Sequence, residues 1–156
     1  MAELKDRLRA DLTAAMKARE TTTVATLRMA LSAVSNEEVS GSAARELSDE
    51  EVRAVLAREA KKRREAVEAF TAAGREERAA QERAEGEVLT GYLPAQVEDD
   101  ELSRLVAEAV EEVTAALGER PGQRQMGQVM KATTARTSGR AEGARVAAAV
   151  RTALGS

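Results

Sequence analysis

The chain has 156 residues, 43% apolar and 33% charged with a net charge of −3, which is enough apolar matter for a core and too much for wholesale disorder. It contains no Cys and no His, so disulfides, thiolate nucleophiles, imidazole bases and Cys or His zinc sites are excluded. Ile is absent as well, and Phe70 and Tyr92 are the whole aromatic complement, so the core must be built from Ala, Leu, Val and Met, sizes that suit helices rather than strands.

A first helix is expected over about Glu3–Ala18, where Leu4, Leu8, Leu12 and Met16 recur every four residues with Ala15 beside them. Thr21 to Thr23 offer a cap for a second helix, whose seam is Val24, Leu27, Leu31 and Val34 and which fades near Glu38. Ser40-Gly41-Ser42 reads as a loop. Ser48-Asp49-Glu50-Glu51 is a capping box opening a long third helix that runs to about Ala73, with Val52, Val55, Leu56, Val67 and Phe70 as its buried face. Gly74 stops or bends it. A fourth helix, about Arg75 to Tyr92, is charged and alanine-rich and ends on Val88, Leu89, Tyr92 and Leu93.

Pro94 has no amide hydrogen and pushes Leu93 out of helical geometry, which makes it the best boundary in the chain. The expectation is therefore an all-α fold. An N-terminal bundle of about four helices, residues 1–94, precedes a small three-helix C-terminal domain, residues 95–156, with a basic surface. In that second part Asp99 or Asp100 can cap a fifth helix, with Leu102, Leu105, Val106, Ala109, Val110, Val113 and Leu117 as its apolar face and Gly118 closing it. Pro121-Gly122 marks a turn, a sixth helix carries Met126, Val129 and Met130 to about Ala135, Gly139 breaks it, and a seventh runs over about Ala141–Leu154. No apolar run approaches the roughly 18 residues of a membrane span. Met1 leads straight into the charged run Glu3-Leu4-Lys5-Asp6-Arg7, so no signal peptide and a cytoplasmic location are expected.

Charge is unevenly placed along the chain. Residues 118–156 hold seven cations and two acids, +5, so the preceding 117 residues sum to −8. Such a split suits an anionic partner at one end, or an ordinary solvated helix face in an Arg-rich protein. No phosphate loop, dinucleotide fingerprint, nucleophile elbow or zinc helix is present, and adjacent acids such as Glu98-Asp99-Asp100-Glu101 are read as dipole-matching caps; no catalytic residue, metal or cofactor is expected. Lys61-Lys62-Arg63-Arg64 spans all sides of a helix and is expected to pair with Glu59, Glu65 and Glu68. The tail is the candidate anion site: Gly139 and Gly143 leave amides open at a helix start, and Lys131, Arg136, Arg140 and Arg145 supply charge, with guanidinium forks that match phosphate. Against this, Gly139 could be a hinge and Gly143 a close-packing site. The tail has no aromatic for base stacking, so nucleic acid would be read through phosphates and shape.

These residues resemble the GatB/YqeY family. The resemblance rests on Leu27-Arg28-Met29-Ala30-Leu31 with Asn36-Glu37-Glu38, on Arg58 to Glu65 followed by Phe70 and Ala73-Gly74-Arg75, on Tyr92-Leu93-Pro94-Ala95-Gln96, and on Met126-Gly127-Gln128-Val129-Met130 with Gly139-Arg140-Ala141-Glu142-Gly143. It covers nearly the whole chain. It implies two helical parts and a relation to the helical and tail region of the B subunit of tRNA-dependent amidotransferases, which amidate misacylated Glu-tRNA(Gln) or Asp-tRNA(Asn) with glutamine as ammonia donor. The family-level label this implies is carbon–nitrogen ligase with glutamine as amido-N-donor. The ATP-using, metal-bearing centre of those enzymes lies in a domain not matched here, so the chain alone is not expected to catalyse. Where the family often has Met-Pro-Lys-x-Lys-Gly, this chain has Thr134-Ala135-Arg136-Thr137-Ser138-Gly139, keeping one positive position and losing the other, and Glu142 stands in place of Asp. The implied role is a tRNA-binding accessory factor linked to amidotransferase or aminoacyl-tRNA metabolism, binding through the basic tail. The alternative is a helical interaction module that docks on a synthetase or amidotransferase without binding nucleic acid.

Overall fold

The structure, a computed structural model, describes residues 2–155. Met1 and Ser156, the outer ends of the two expected domains, lie outside the described residues. Among these the chain forms seven α-helices and one short 3-10 turn, with no strand. They gather into two compact units, one ending at Leu93 and the other beginning at Pro94.

The first unit contains α1 (Glu3–Ala18), α2 (Thr21–Glu38), α3 (Asp49–Ala72) and α4 (Glu76–Thr90). Leu4, Leu8, Leu27, Val34, Val52, Val55, Leu56 and Leu89 meet in its core, with Leu47 of the α2–α3 loop among them. Each such side chain stabilises the unit by about 1.5–3 kcal/mol of apolar burial. The every-four stripe of α1 does not stay inward along its length. At 100° per residue each step of four turns the stripe by about 40°, so Leu8 is buried, Leu12 is half-buried and Met16 is 50% exposed, while Ala15 takes the inward place. In α2 the buried residues Thr26, Leu27, Ala30 and Val34 centre to one side of the expected seam, leaving Val24 and Leu31 half-buried. Val67 and Phe70 of α3 are likewise half-buried, and Arg78 lies over the Phe70 ring.

Helix ends are settled partly by neighbours and partly at a distance. The capping box forms: the Glu51 amide donates to Ser48 Oγ at 3.2 Å, and the Ser48 amide to Glu51 Oε2 at 2.8 Å. Arg45 grips both oxygens of Glu51, and this fork, with the Ser48 amide, holds the Glu51 carboxyl down at about 2. Gly74, at φ 73°, ends α3 in a Schellman arrangement, with its amide on Thr71 O and the Arg75 amide on Phe70 O. The same arrangement closes α1, but there Arg19 occupies the left-handed position at φ 57°. The threonine cap expected for α2 does not form: Glu20 is the N-cap, without a side-chain bond, and Thr21 is already helical. The first turn of α1 is capped from afar, the Leu4 amide donating to Asp49 Oδ1 at 3.0 Å.

Two polar clusters hold this unit's helices in place. Lys5, only 8% exposed, pairs with Glu38 at 2.6 Å, and Glu38 also accepts the Leu47 amide at 3.2 Å. The Lys5 hydrogen bond lowers the Glu38 carboxyl below its ordinary value despite desolvation. Tyr92 donates to Asp11 Oδ2 at 2.5 Å while the Arg7 guanidinium lies 4.7 Å from its ring centroid, which fastens the end of α4 to α1. Burial, then Asp11, push the Tyr92 phenol above its ordinary value. Within the basic run, Lys62 and Arg63 meet Glu59 as expected, but Arg63 also meets Glu82 and Glu85 from α4 at 3.6 and 3.3 Å.

The second unit contains α5 (Asp99–Leu117), the 3-10 turn (Gln123–Gln125), α6 (Met126–Thr137) and α7 (Gly143–Ala153). Val97, Leu102, Val106, Ala109, Val113, Val129, Val146 and Val150 form its core. Leu117, the last residue of α5, is 40% exposed, and Gly118 closes that helix at φ 80°. Glu98, not Asp99 or Asp100, is the N-cap of α5, and no side chain caps it. Helix α6 runs two residues beyond Ala135, and the chain turns through consecutive left-handed residues, Ser138 at φ 50° and Gly139 at φ 77°.

Candidate anion-binding site

The expected site residues all lie in the second unit, on α6, on α7 and in the loop between them. Arg136, in the last turn of α6, donates to Glu112 Oε2 at 2.6 Å and to Ala132 O at 3.2 Å, with Glu108 3.7 Å away. Arg140, in the loop, reaches Glu101 at 3.3 Å. Arg145, in the first turn of α7, donates to Val97 O at 2.7 Å and to Asp99 Oδ1 at 2.9 Å. The Val97 amide donates in turn to Arg140 O at 2.7 Å, so the segment before α5 is tied both to the α6–α7 loop and to α7. Each of the three guanidiniums thus faces a carboxylate of α5, and together they clamp α6 and α7 onto it.

Residue type alone assigns Asp99 and Glu101 to helix-start capping; the spacing of the acids along α5 carries a further signal. Glu101, Glu108 and Glu112 fall within about 40° of one another on a helical projection, a single acidic stripe on α5. Counted over the folded unit rather than from residue 118, the balance changes: residues 94–156 carry nine acids and eight bases, a net of −1. Part of the charge split along the chain is therefore cancelled by contacts that bring α5 against the tail.

Lys131 stands apart from the three arginines. It is exposed on α6, and among the described residues it meets no carboxylate. Arg124, in the 3-10 turn, is exposed and free of carboxylates in the same sense. Gly139 needs its glycine for backbone reasons, at φ 77°. Gly143 is the first residue of α7, outside the left-handed region, and a Cβ there would meet nothing within 4 Å, so close helix packing does not account for it. Gly127, in the first turn of α6, is in the same position.

Elsewhere, a groove of about 320 Å³ between α3 and α4 is lined by Ala60, Val67, Gly86 and charges of both signs. A hollow of about 310 Å³ beside Arg145 is lined by Leu102, Ser103 and Ala148. Among the described residues, no group of three or more acids could hold a metal ion, and no helix is long and apolar enough to cross a membrane.

Comparison with curated proteins returns no match. A family model described as "Yqey-like protein" matches residues 5–154, almost the whole chain, and the protein belongs to the YqeY family.

Proposed function

We propose that this protein is a tRNA-binding accessory factor, acting in the cytoplasm beside glutamine-dependent tRNA amidation or aminoacyl-tRNA metabolism, and that its second helical unit holds folded RNA by the phosphates. One observation carries the reading. From Arg120 to Ala141 the chain has five cations, no acid and no aromatic, and Arg124 and Lys131 within that stretch stand exposed with no carboxylate partner among the described residues. The resemblance of the tail motifs to the B subunit of tRNA-dependent amidotransferases makes tRNA the anion of choice. The reading assigns the chain no catalytic step.

The test is binding of fluorescently labelled tRNA to the full chain over a salt series. Phosphate contacts release counterions, so log affinity should fall linearly with log salt, with a slope near −0.9 for each phosphate neutralised on duplex RNA by analogy with duplex DNA. Absence of binding at about 50 mM salt, where counterion release favours such contacts most, would remove the proposal. An affinity unmoved by salt would remove the phosphate mode.

A further inference from the structure

We infer that the exposed side of the 3-10 turn and of α6, rather than the three arginines clamped to α5, is the surface that meets RNA, and that its ligand is the phosphate backbone of a double-helical segment. The inference rests on the proposed function and narrows it to particular residues. Arg136, Arg140 and Arg145 already spend their charge on Glu112, Glu101 and Asp99, and Arg145 also holds the buried Val97 carbonyl. A phosphate at any of them must displace a carboxylate and loosen a contact that holds the unit together. Arg124 and Lys131 carry no such cost.

Their placement suits one ligand. Arg124 lies in the 3-10 turn that runs directly into α6, and Lys131 lies on α6 itself, so two exposed cations stand on one continuous run of helical chain. Gly127 and Gln128 lie between them, one turn from each, and Thr134 and Ala135 continue the same exposed side. This exposed stretch is therefore positive, with the short residues Gly127, Thr134 and Ala135 beside its cations. Gln and Thr can hydrogen-bond phosphate oxygens or a 2′-hydroxyl, while the missing aromatics leave nothing to stack unpaired bases. Gly127 adds an independent mark. It lies in the first turn of α6, outside the left-handed region, with nothing within 4 Å of where a Cβ would stand. A sugar–phosphate strand can approach the helix backbone closely there.

The experiment compares the full chain with Arg124→Gln/Lys131→Gln, Gly127→Leu and Arg136→Gln, using a fully paired RNA hairpin and single-stranded polyuridylate as probes over a salt series. The expected result is that the wild type prefers the hairpin. The double variant should lose about tenfold or more in affinity, with a salt slope shallower by about two, one for each phosphate contact removed. Gly127→Leu should keep its melting temperature, since leucine is a good helix former, yet bind severalfold more weakly. Arg136→Gln should lower the melting temperature and leave the slope unchanged. If the wild type binds the hairpin and the double variant keeps its full slope, the α6 surface is wrong while the proposed function stands. Equal binding of polyuridylate overturns the duplex ligand. A wild type that binds neither probe removes both proposals together.

Discussion

Replacing Glu38 by Ala is the sharpest test of how the first unit is held together. The substitution strips Lys5, itself 8% exposed, of its partner at 2.6 Å, and leaves the amide of Leu47, a residue 2% exposed, without its acceptor. Breaking a buried pair by removing one partner costs about 3–5 kcal/mol, and an orphaned buried amide costs about 1–3 kcal/mol. Lys5 lies at the rim of the core on a long stem and can swing its ammonium to water, so the combined loss is placed at about 3 kcal/mol. For a unit of this size that is a fall of about 12–24 °C in melting temperature, read by far-ultraviolet circular dichroism. Pairing Glu38→Gln with Lys5→Met removes both charges and keeps an acceptor for the amide, and should recover most of the loss. The pH profile has a definite sign. Because Glu38 is held below its ordinary 4.5 in the folded state, its contribution is complete above that value and disappears as pH falls beneath it. A Glu38→Ala variant that melts within about 4 °C of wild type, corresponding to less than about 1 kcal/mol, would refute the argument. So would a double variant no more stable than the single one.

Four further outcomes are expected. The destabilisation caused by Arg45→Ala should be present at neutral pH and fade in acid titration as pH falls from 4.5 to about 2, where Glu51 takes up its proton in the folded state as well. Arg19→Gly should raise the urea midpoint, because relief of the left-handed residue outweighs the added freedom of the unfolded chain by about 0.5–1 kcal/mol; Arg19→Val should lower it. Arg145→Ala leaves the Val97 carbonyl unpaired at a cost of about 1–2 kcal/mol, and amide exchange at Val97 should quicken in proportion. Finally, we propose that the two compact units are folding domains. Fragments 1–93 and 94–156, made separately, should each unfold cooperatively, and a fragment that melts without a transition would contradict this.

Much of the helical framework could be read from neighbouring residues. The spacing of Leu4, Leu8 and Ala15 marks a buried helix face because those positions lie within about 40° on one helix, whatever surrounds it. The Ser48 cap, the glycine stop at Gly74 and the break at Pro94 are equally local. Where the structure departs from these local signals, the cause is the same. Thr21–Thr23, Asp99 and Asp100 are good capping residues by type, but in the fold α2 begins at Thr21 itself and the Asp99 carboxylate is turned to Arg145. For the candidate site, residue types picked out Lys131, Arg136, Arg140 and Arg145 as cations. The acidic stripe of α5 was visible on a helical projection, but not what it would face.

What the sequence determined by itself is the class of fold and the position of most helix ends. Those follow from interactions within four residues of one another, where the chain leaves little choice of partner. Tertiary structure alone decided that Asp49 caps a helix 45 residues away, that Lys5 is neutralised by Glu38, and that three of the tail's arginines are spent on α5. Whether a charge is a clamp or a contact surface depends on which opposite charge the fold brings within about 4 Å, and distance along the chain carries no information about that.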